Sequence, residues 1–255
     1  MLGAKFTQNL HEPILHIAMK KTIGPHILML LGLVALFHFT SCNPADENNN
    51  NNTIGETVTD ASGNTYNTVI VGRLTIMTEN LRTTKYNDST DIPFITTGGT
   101  WSVTTPLSCY YENDSQKGML YNFYAVETGK LAPKGWHTAT SEDWIYLDSL
   151  VNVDYVDGYV KAICFTSGWL ASDIPNTPGN NQSTNNAWKL GIQPTGYRDA
   201  YGVFSEEGST AFFWGDPWAN LLYAYTYKID YNASMLTQTA KLKSLGASVR
   251  CVKDY

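Results

Sequence analysis

Thr140-Ser-Glu-Asp-Trp-Ile-Tyr-Leu-Asp-Ser-Leu-Val-Asn152 is the stretch on which the fold reading turns. Thr140 precedes an apolar run and Asp143 follows it by three, the spacing of a reciprocal helix cap. Trp144, Leu147 and Val151 then recur at i, i+3 and i+7, one face of a helix predicted from about Ser141 to Asn152. Almost everything around it reads as strand. Upstream, Thr57 to Asp60 leads through the turn residues Ala61-Ser-Gly-Asn64 into β-branched Thr65 to Val71, and Leu74 to Met77 follows the Gly72-Arg73 turn. Downstream, a second, shorter helix is predicted around Asp157 to Phe165, and Ser172 to Ala187 is a long Asn/Pro/Gly/Ser/Thr loop. Tyr223, Tyr225 and Tyr227 alternate with Ala224, Thr226 and Lys228, which puts the tyrosines on one sheet face. Ala247 to Val252 reads as the last strand, and no repeat of fixed period is present. Two helices among many short strands predict an α+β domain with a mixed or antiparallel sheet.

The N-terminal part reads differently. Ile27 to Phe37 is an apolar run of 11 residues, the length of a signal-peptide core and short of the roughly 20 needed to span a membrane. Lys20 and Lys21 supply a positive flank, and Phe39-Thr-Ser-Cys42 places small residues just before a cysteine, resembling a bacterial lipobox. The expectation is a lipoprotein leader over residues 1–41, with Met19 as the true start and Cys42 lipidated. Residues 42–55, with Asp46, Glu47 and an asparagine run, read as an acidic tether that buries nothing. The globular domain is expected over residues 56–255.

Removing 41 residues leaves 214. The leader holds Lys5, Lys20, Lys21 and Glu12, so the remainder carries 14 basic and 22 acidic side chains, net −8. That balance argues against nucleic acid as a partner, because phosphate backbones are held by clustered Lys and Arg. The expected membrane contact is the lipid on Cys42, which places the domain in the cell envelope, at the outer membrane, facing the surface or the periplasm.

A set of short motifs appears in order along the domain. They are Thr65-Tyr-Asn-Thr-Val69, Glu79-Asn-Leu-Arg82, Gly118-Met-Leu-Tyr-Asn122 with Tyr124-Ala125, Leu131-Ala-Pro-Lys-Gly-Trp-His137, Gly196-Tyr-Arg198 and Ser248-Val-Arg-Cys251. Together they resemble the Fibrobacter succinogenes major paralogous domain, a family of bacterial surface lipoproteins, over roughly Glu56 to Asp254. The resemblance implies a fold similar to C-type lectin-like domains and to the formylglycine-generating enzyme group. Gly135 to Trp144 resembles the turn into the helix that those groups share, with Ala139 where the family usually has proline. The family brings no activity to carry over.

The residues leave little room for catalysis. His137 is the single histidine after the leader, which removes two-histidine metal sites, and its place before a helix cap predicts a structural role, donating to a backbone carbonyl. Cys109, Cys164 and Cys251 show no CxxC spacing for zinc. The resemblance implies a bridge from the helix region to the last strand. Ala132 stands where many relatives have the first cysteine, leaving Cys109–Cys251 as the candidate pair, while Cys164 reads as a buried thiol. The formylglycine-generating activity needs two reactive cysteines near the C-terminus, and only Cys251 is there. Gln193-Pro-Thr195 followed 21 residues later by Trp214-Gly-Asp216 is a near-match to calcium-binding lectins, but Thr195 and Gly215 replace two of the oxygen donors calcium needs. No catalytic residue, cofactor or metal is therefore expected.

Aromatic surface remains. Trp188, Tyr197, Trp214 and Trp218 lie in or near loops of the second half, with Arg198 adjacent. In lectin-like folds that half carries the ligand region, and exposed rings there stack on sugars or anchor a protein. The expected function is a lipid-anchored binding or adhesion module for a glycan or a protein. The alternative is a structural component of a surface assembly, and an enzyme stands behind both.

Overall fold

The computed structural model describes residues 53–96, 101–154, 160–217 and 221–255, so the leader, Cys42, most of the tether and Trp218 lie outside the described residues. The domain is mostly sheet with two short helices, an α+β arrangement of open sheets. One antiparallel sheet of five strands joins both ends of the domain. Its members are β1 (Thr53–Ile54), β4 (Thr68–Val71), β5 (Leu74–Met77), β8 (Trp136–Thr138) and β15 (Cys251–Lys253), in the order β1-β4-β5-β15-β8. A small hairpin, β2 (Val58–Thr59) with β3 (Thr65–Tyr66), closes over the predicted Ala61–Asn64 turn. Asp60 holds that turn by accepting from the backbone N–H groups of Ser62 and Asn64 at 2.8 and 3.0 Å.

The second sheet is mixed. It contains β6 (Ser108–Tyr111), β7 (Asp114–Asn122), β9 (Thr195–Arg198), β10 (Phe204–Glu207), β11 (Thr210–Pro217), β12 (Tyr223–Asp230), β13 (Thr237–Leu242) and β14 (Gly246–Ala247). The order is β13-β12-β11-β9-β14-β7-β6, with β10 paired to β9, and only the β11–β9 pair is parallel. β11 is buried on both faces. Ala211 and Phe213 enter one apolar cluster while Phe212 and Trp214 enter another. β12 sorts itself by the same parity: Tyr225, Tyr227 and Ile229 meet the first cluster and Ala224 the second. The sheet thus lies between two cores, and the tyrosine alternation is the signature of that position.

Helix α1 (Phe123–Val126) is a single turn capped by Asn122, whose side chain accepts from the Ala125 N–H. Helix α2 (Ser141–Asp154) is the predicted one, two residues longer at its C-terminal end. Its cap is reciprocal: the Thr140 N–H and hydroxyl donate to the Asp143 carboxylate at 2.8 and 2.7 Å, and the Asp143 N–H returns to the Thr140 hydroxyl at 3.2 Å. Trp144, Leu147 and Val151 are all buried against the first cluster, where the Trp144 ring lies between Phe213 and Tyr227 at 5.0 and 5.9 Å. Of the second predicted helix, Val160–Ile163 forms one 3-10 turn.

Two expectations change. The final strand is not one run over 247–252: β14 belongs to the mixed sheet and β15 to the five-stranded sheet, and Ser248 to Arg250 crosses between them. The Cys109–Cys251 bridge is absent, and all three cysteines of the described residues are free and buried. Cys109 sits in a small cluster with Trp101, Leu107, Tyr111 and Leu120, whereas Cys251 sits in the second large cluster, so their side chains serve different cores. Burial pushes the Cys109 thiol up to about 11 and raises Cys251 and Cys164 as well, which makes all three poor nucleophiles at neutral pH.

Candidate functional site

The loop-region aromatics do not form a platform. Trp188 is 3% exposed and packs in the first cluster. Trp214 is 2% exposed; its indole N–H donates to the Tyr121 carbonyl at 2.7 Å and its ring meets Phe123 edge-on at 5.1 Å. Arg198 is also buried, with its guanidinium over the rings of Trp101 and Phe204 at 4.5 and 5.0 Å and its Nε donating to the Gly202 carbonyl. Tyr197 is half-buried against Phe212. Tyr197 and Arg198 lie on β9 and Trp214 on β11, strands inside a sheet covered on both sides, and the burial of Arg198 and Trp214 follows from that. Only Tyr197 of the described members reaches solvent.

Two residues of the near-match to calcium-binding lectins are also engaged internally. Thr195 shares a 2.9 Å hydroxyl contact with Ser248, and Asp216 accepts from the Ser141 N–H at the start of α2 at 2.8 Å. Among the described residues no three His, Cys, Asp or Glu side chains gather as a metal site. His137 is structural in a way the sequence did not indicate. Its two ring nitrogens face carboxylates rather than a carbonyl: Asp254 at 2.8 Å and Asp143 at 3.1 Å. Those two acids hold the imidazole proton, with Asp143 the larger influence, and raise its pKa to about 9. The imidazolium thereby ties β8 to the α2 cap and to the tail beyond β15.

The family-like motifs explain a second buried network. Asn80 donates to the Ser248 hydroxyl and accepts from Arg250 Nε at 2.9 Å, while the Leu81 N–H donates to the Val249 carbonyl. Arg250 is 1% exposed and also donates to the carbonyls of Met77, Leu190 and Gly191. One guanidinium therefore fastens the end of β5, the long loop and the sheet-crossing segment together. Gly118 (φ +79°) sits against this network, and a Cβ there would lie 2.9 Å from that of Asn80. Beside the network opens a polar cleft of about 270 Å³, bordered by Glu79, Arg82, Lys189 and Gln193. Its neighbour, about 420 Å³, shares Phe165 and Gln193 with it.

A different hollow carries the one accessible indole among the described residues. Trp101, Trp144, Trp169, Trp188 and Trp214 are all buried, and Trp136 alone is half-exposed. Cross-strand register explains its position. Thr53 pairs with Ile70, Ile70 with Thr75, and Lys253 with Trp136, while Val252 opposite Ile76 sets Lys253 beside Thr75. These residues form one row on the outer face of the five-stranded sheet, whose opposite face buries Val69, Val71, Leu74, Ile76 and Val252. Further along the same outer face Met77 and Cys251 are covered by the second cluster, and Trp136 packs against that cluster in part, leaving the rest of its ring to the trough. Ile54 to Val58 forms the other wall, held where Thr68 donates to the Glu56 carbonyl at 2.7 Å. The resulting trough measures about 470 Å³ and offers a flat ring, the Ile70 side chain, threonine hydroxyls, the Glu56 carboxylate and the Lys253 ammonium. The Trp136 indole N–H donates to no partner among the described residues. Sequence reading quoted Trp136 as a motif residue and gave it no ligand role. The alternation of its strand, of only three residues, was too short a signal.

Neither a curated protein nor a solved structure matches the chain. The Fibrobacter succinogenes major domain matches residues 69–253, which takes in the buried Asn80–Ser248–Arg250 network and the Trp136 face, and the chain belongs to that family.

Proposed function

We propose that the protein is a lipid-anchored, extracytoplasmic binding module that holds a glycan in the Trp136 trough. The observation that carries this is the single accessible indole, set in a hollow with hydroxyl, carboxylate and ammonium groups. A ring can stack on a sugar only where its face reaches solvent, and leaving indole half-exposed forgoes burial that a structural residue would recover. The volume lies within the roughly 300–1,000 Å³ usual for ligand pockets. The lectin-like reading of the fold is supported by the capped turn from Gly135 into α2 and by the long loop. Two side chains pin that loop: Gln182 bonds both the N–H and the carbonyl of Trp169, and Asn185 donates to the carbonyls of Phe165 and Pro178. A binding role rather than catalysis is favoured because both nitrogens of His137 already face carboxylates, leaving it no lone pair with which to act as a base.

A glycan-array screen of the detergent-solubilised full chain tests the proposal. Wild type is expected to give saturable binding to a limited set of glycans, and Trp136→Ala is expected to abolish it with the fold intact. Binding that survives Trp136→Ala moves the site elsewhere. The rival reading, a structural component of a surface assembly, has its own observation. Tyr201, Leu222 and Leu242 are 90%, 55% and 40% exposed around one hollow of about 250 Å³. Concentration-dependent association in sedimentation, removed by Leu222→Asp, together with an empty glycan array, would put that reading first.

A further inference from the structure

The cleft above Arg250 has a sign opposite to that of the chain. The whole sequence has a formal charge of −6, yet Arg82, Lys189 and Arg250 border this opening against one carboxylate, Glu79. Glu79 is engaged along its own strand end, where it accepts from the Asn67 backbone and side-chain N–H groups at 3.0 and 2.8 Å and from the Thr78 hydroxyl at 3.0 Å. Arg250 is 1% exposed, and its bonds go only to neutral acceptors, three backbone carbonyls and the Asn80 amide. A guanidinium taken out of water and bonded to no carboxylate keeps most of its field, and in a partly enclosed cleft that field reaches further than it does in water. Burial lowers its pKa to about 10, which still leaves it charged at neutral pH.

Lys189 is the exposed part of the arrangement, on a built turn. Its N–H donates to the Asn186 carbonyl at 3.0 Å, and the Asn186 side chain accepts from the Gly191 N–H at 2.8 Å. The turn puts Lys189 at φ +58°, a conformation that costs a lysine free energy and that Asn adopts more readily. No ion pair engages the Lys189 ammonium among the described residues. Glu79 is the one acidic residue of the lining against three cations, which argues against a cation as occupant.

We infer that this cleft is a second binding site, separate from the Trp136 trough, and that it takes the carboxylate of an acidic sugar. The carboxylate lies beside Lys189 above Arg250, and the Asn186 and Gln193 side chains border the sugar hydroxyls; Arg82 stands at the rim, where its guanidinium lies over the Tyr66 ring and donates to the Thr65 carbonyl at 3.0 Å. About 270 Å³ suits one such residue, and the two hollows share no lining residue. The sugar class rests on the glycan reading of the protein, while the anion site rests on its own lining.

Galacturonate and galactose differ only in carboxylate against hydroxymethyl, and they form the test. In a 15N chemical-shift titration of the full chain in detergent, galacturonate is expected to move the Lys189 and Gly191 amides saturably and galactose to leave them still. Lys189→Asn, which keeps the turn and removes the charge, should weaken galacturonate about tenfold, the scale of one charge-assisted hydrogen bond. Lys189→Arg should retain the affinity. An equal response to galactose, or unchanged affinity in Lys189→Asn, overturns the site. A response confined to the Trp136 indole also overturns it, while leaving the trough proposal standing.

Discussion

Trp214 and Trp136 both sit on strands, and they fare differently. Trp214 lies on β11, a strand inside a sheet with a core on each side, where its N–H finds the Tyr121 carbonyl and its ring finds Phe123. Trp136 lies on β8, the last strand of the five-stranded sheet, where its row of neighbours faces outward and its indole N–H has no partner among the described residues. What decides the exposure of an aromatic residue is the parity and sheet position of its strand, not whether the local sequence looks like a loop.

The contrast can be broken most directly by truncation. Trp214→Ala should cost about 3–5 kcal/mol, because it removes a buried ring and strands the Tyr121 carbonyl. Thermal melts of the variant check this, and a shift of only a degree or two would mean that β11 is less enclosed than it is drawn. Next in size is Asn80→Ala, which leaves Arg250 Nε without its buried acceptor and the Ser248 hydroxyl with Thr195 alone. A loss of about 1–3 kcal/mol in urea unfolding is expected, and an unchanged midpoint would show that the motif network does not hold the two sheets in register.

A pH-dependent effect sharpens the comparison at β8 itself. The pKa of His137 is raised from 6.5 to about 9 by Asp143 and Asp254, so its contribution is complete below about 6.5 and is lost as pH rises through 9. The pKa of Asp143 is lowered from 3.8 by His137 and Thr140, so its contribution is present above that value and fades as pH falls below it. The melting temperature should decline between pH 6.5 and 9.5 in wild type, and His137→Gln should flatten that slope. Identical slopes would remove the clamp from the account. Smallest of all is Trp136→Ala in the absence of ligand, with about 1 kcal/mol lost, because its ring packs only in part against the second cluster.

Much of the architecture was legible. The Thr140–Asp143 cap, the Trp144/Leu147/Val151 face and the Tyr223/Tyr225/Tyr227 alternation follow from periodicity, and periodicity is a local signal. The features missed are non-local. Ser248 to Arg250 reads as the middle of a strand and instead passes between sheets, because its partners Asn80 and Thr195 stand far away in sequence. Trp214 and Arg198 are ligand-surface candidates in the sequence because they lie in or near segments rich in Gly, Asn and Pro, while the sheet that buries them also draws on β6 and β7, where Tyr121 stands 93 residues before Trp214. The Trp136 row depends on pairing of β4, β5, β15 and β8, segments drawn from both ends of the domain.

The most direct test of the central claim watches the tryptophans themselves. The indole 15N–1H signals of the full chain, assigned with Trp136→Phe and Trp214→Phe, can be followed during titration with a glycan taken from the array. The account predicts that the Trp136 signal moves saturably while those of Trp188 and Trp214 stay in place. Movement of Trp188 or Trp214 with Trp136 unmoved, or no array glycan that shifts Trp136, would contradict it.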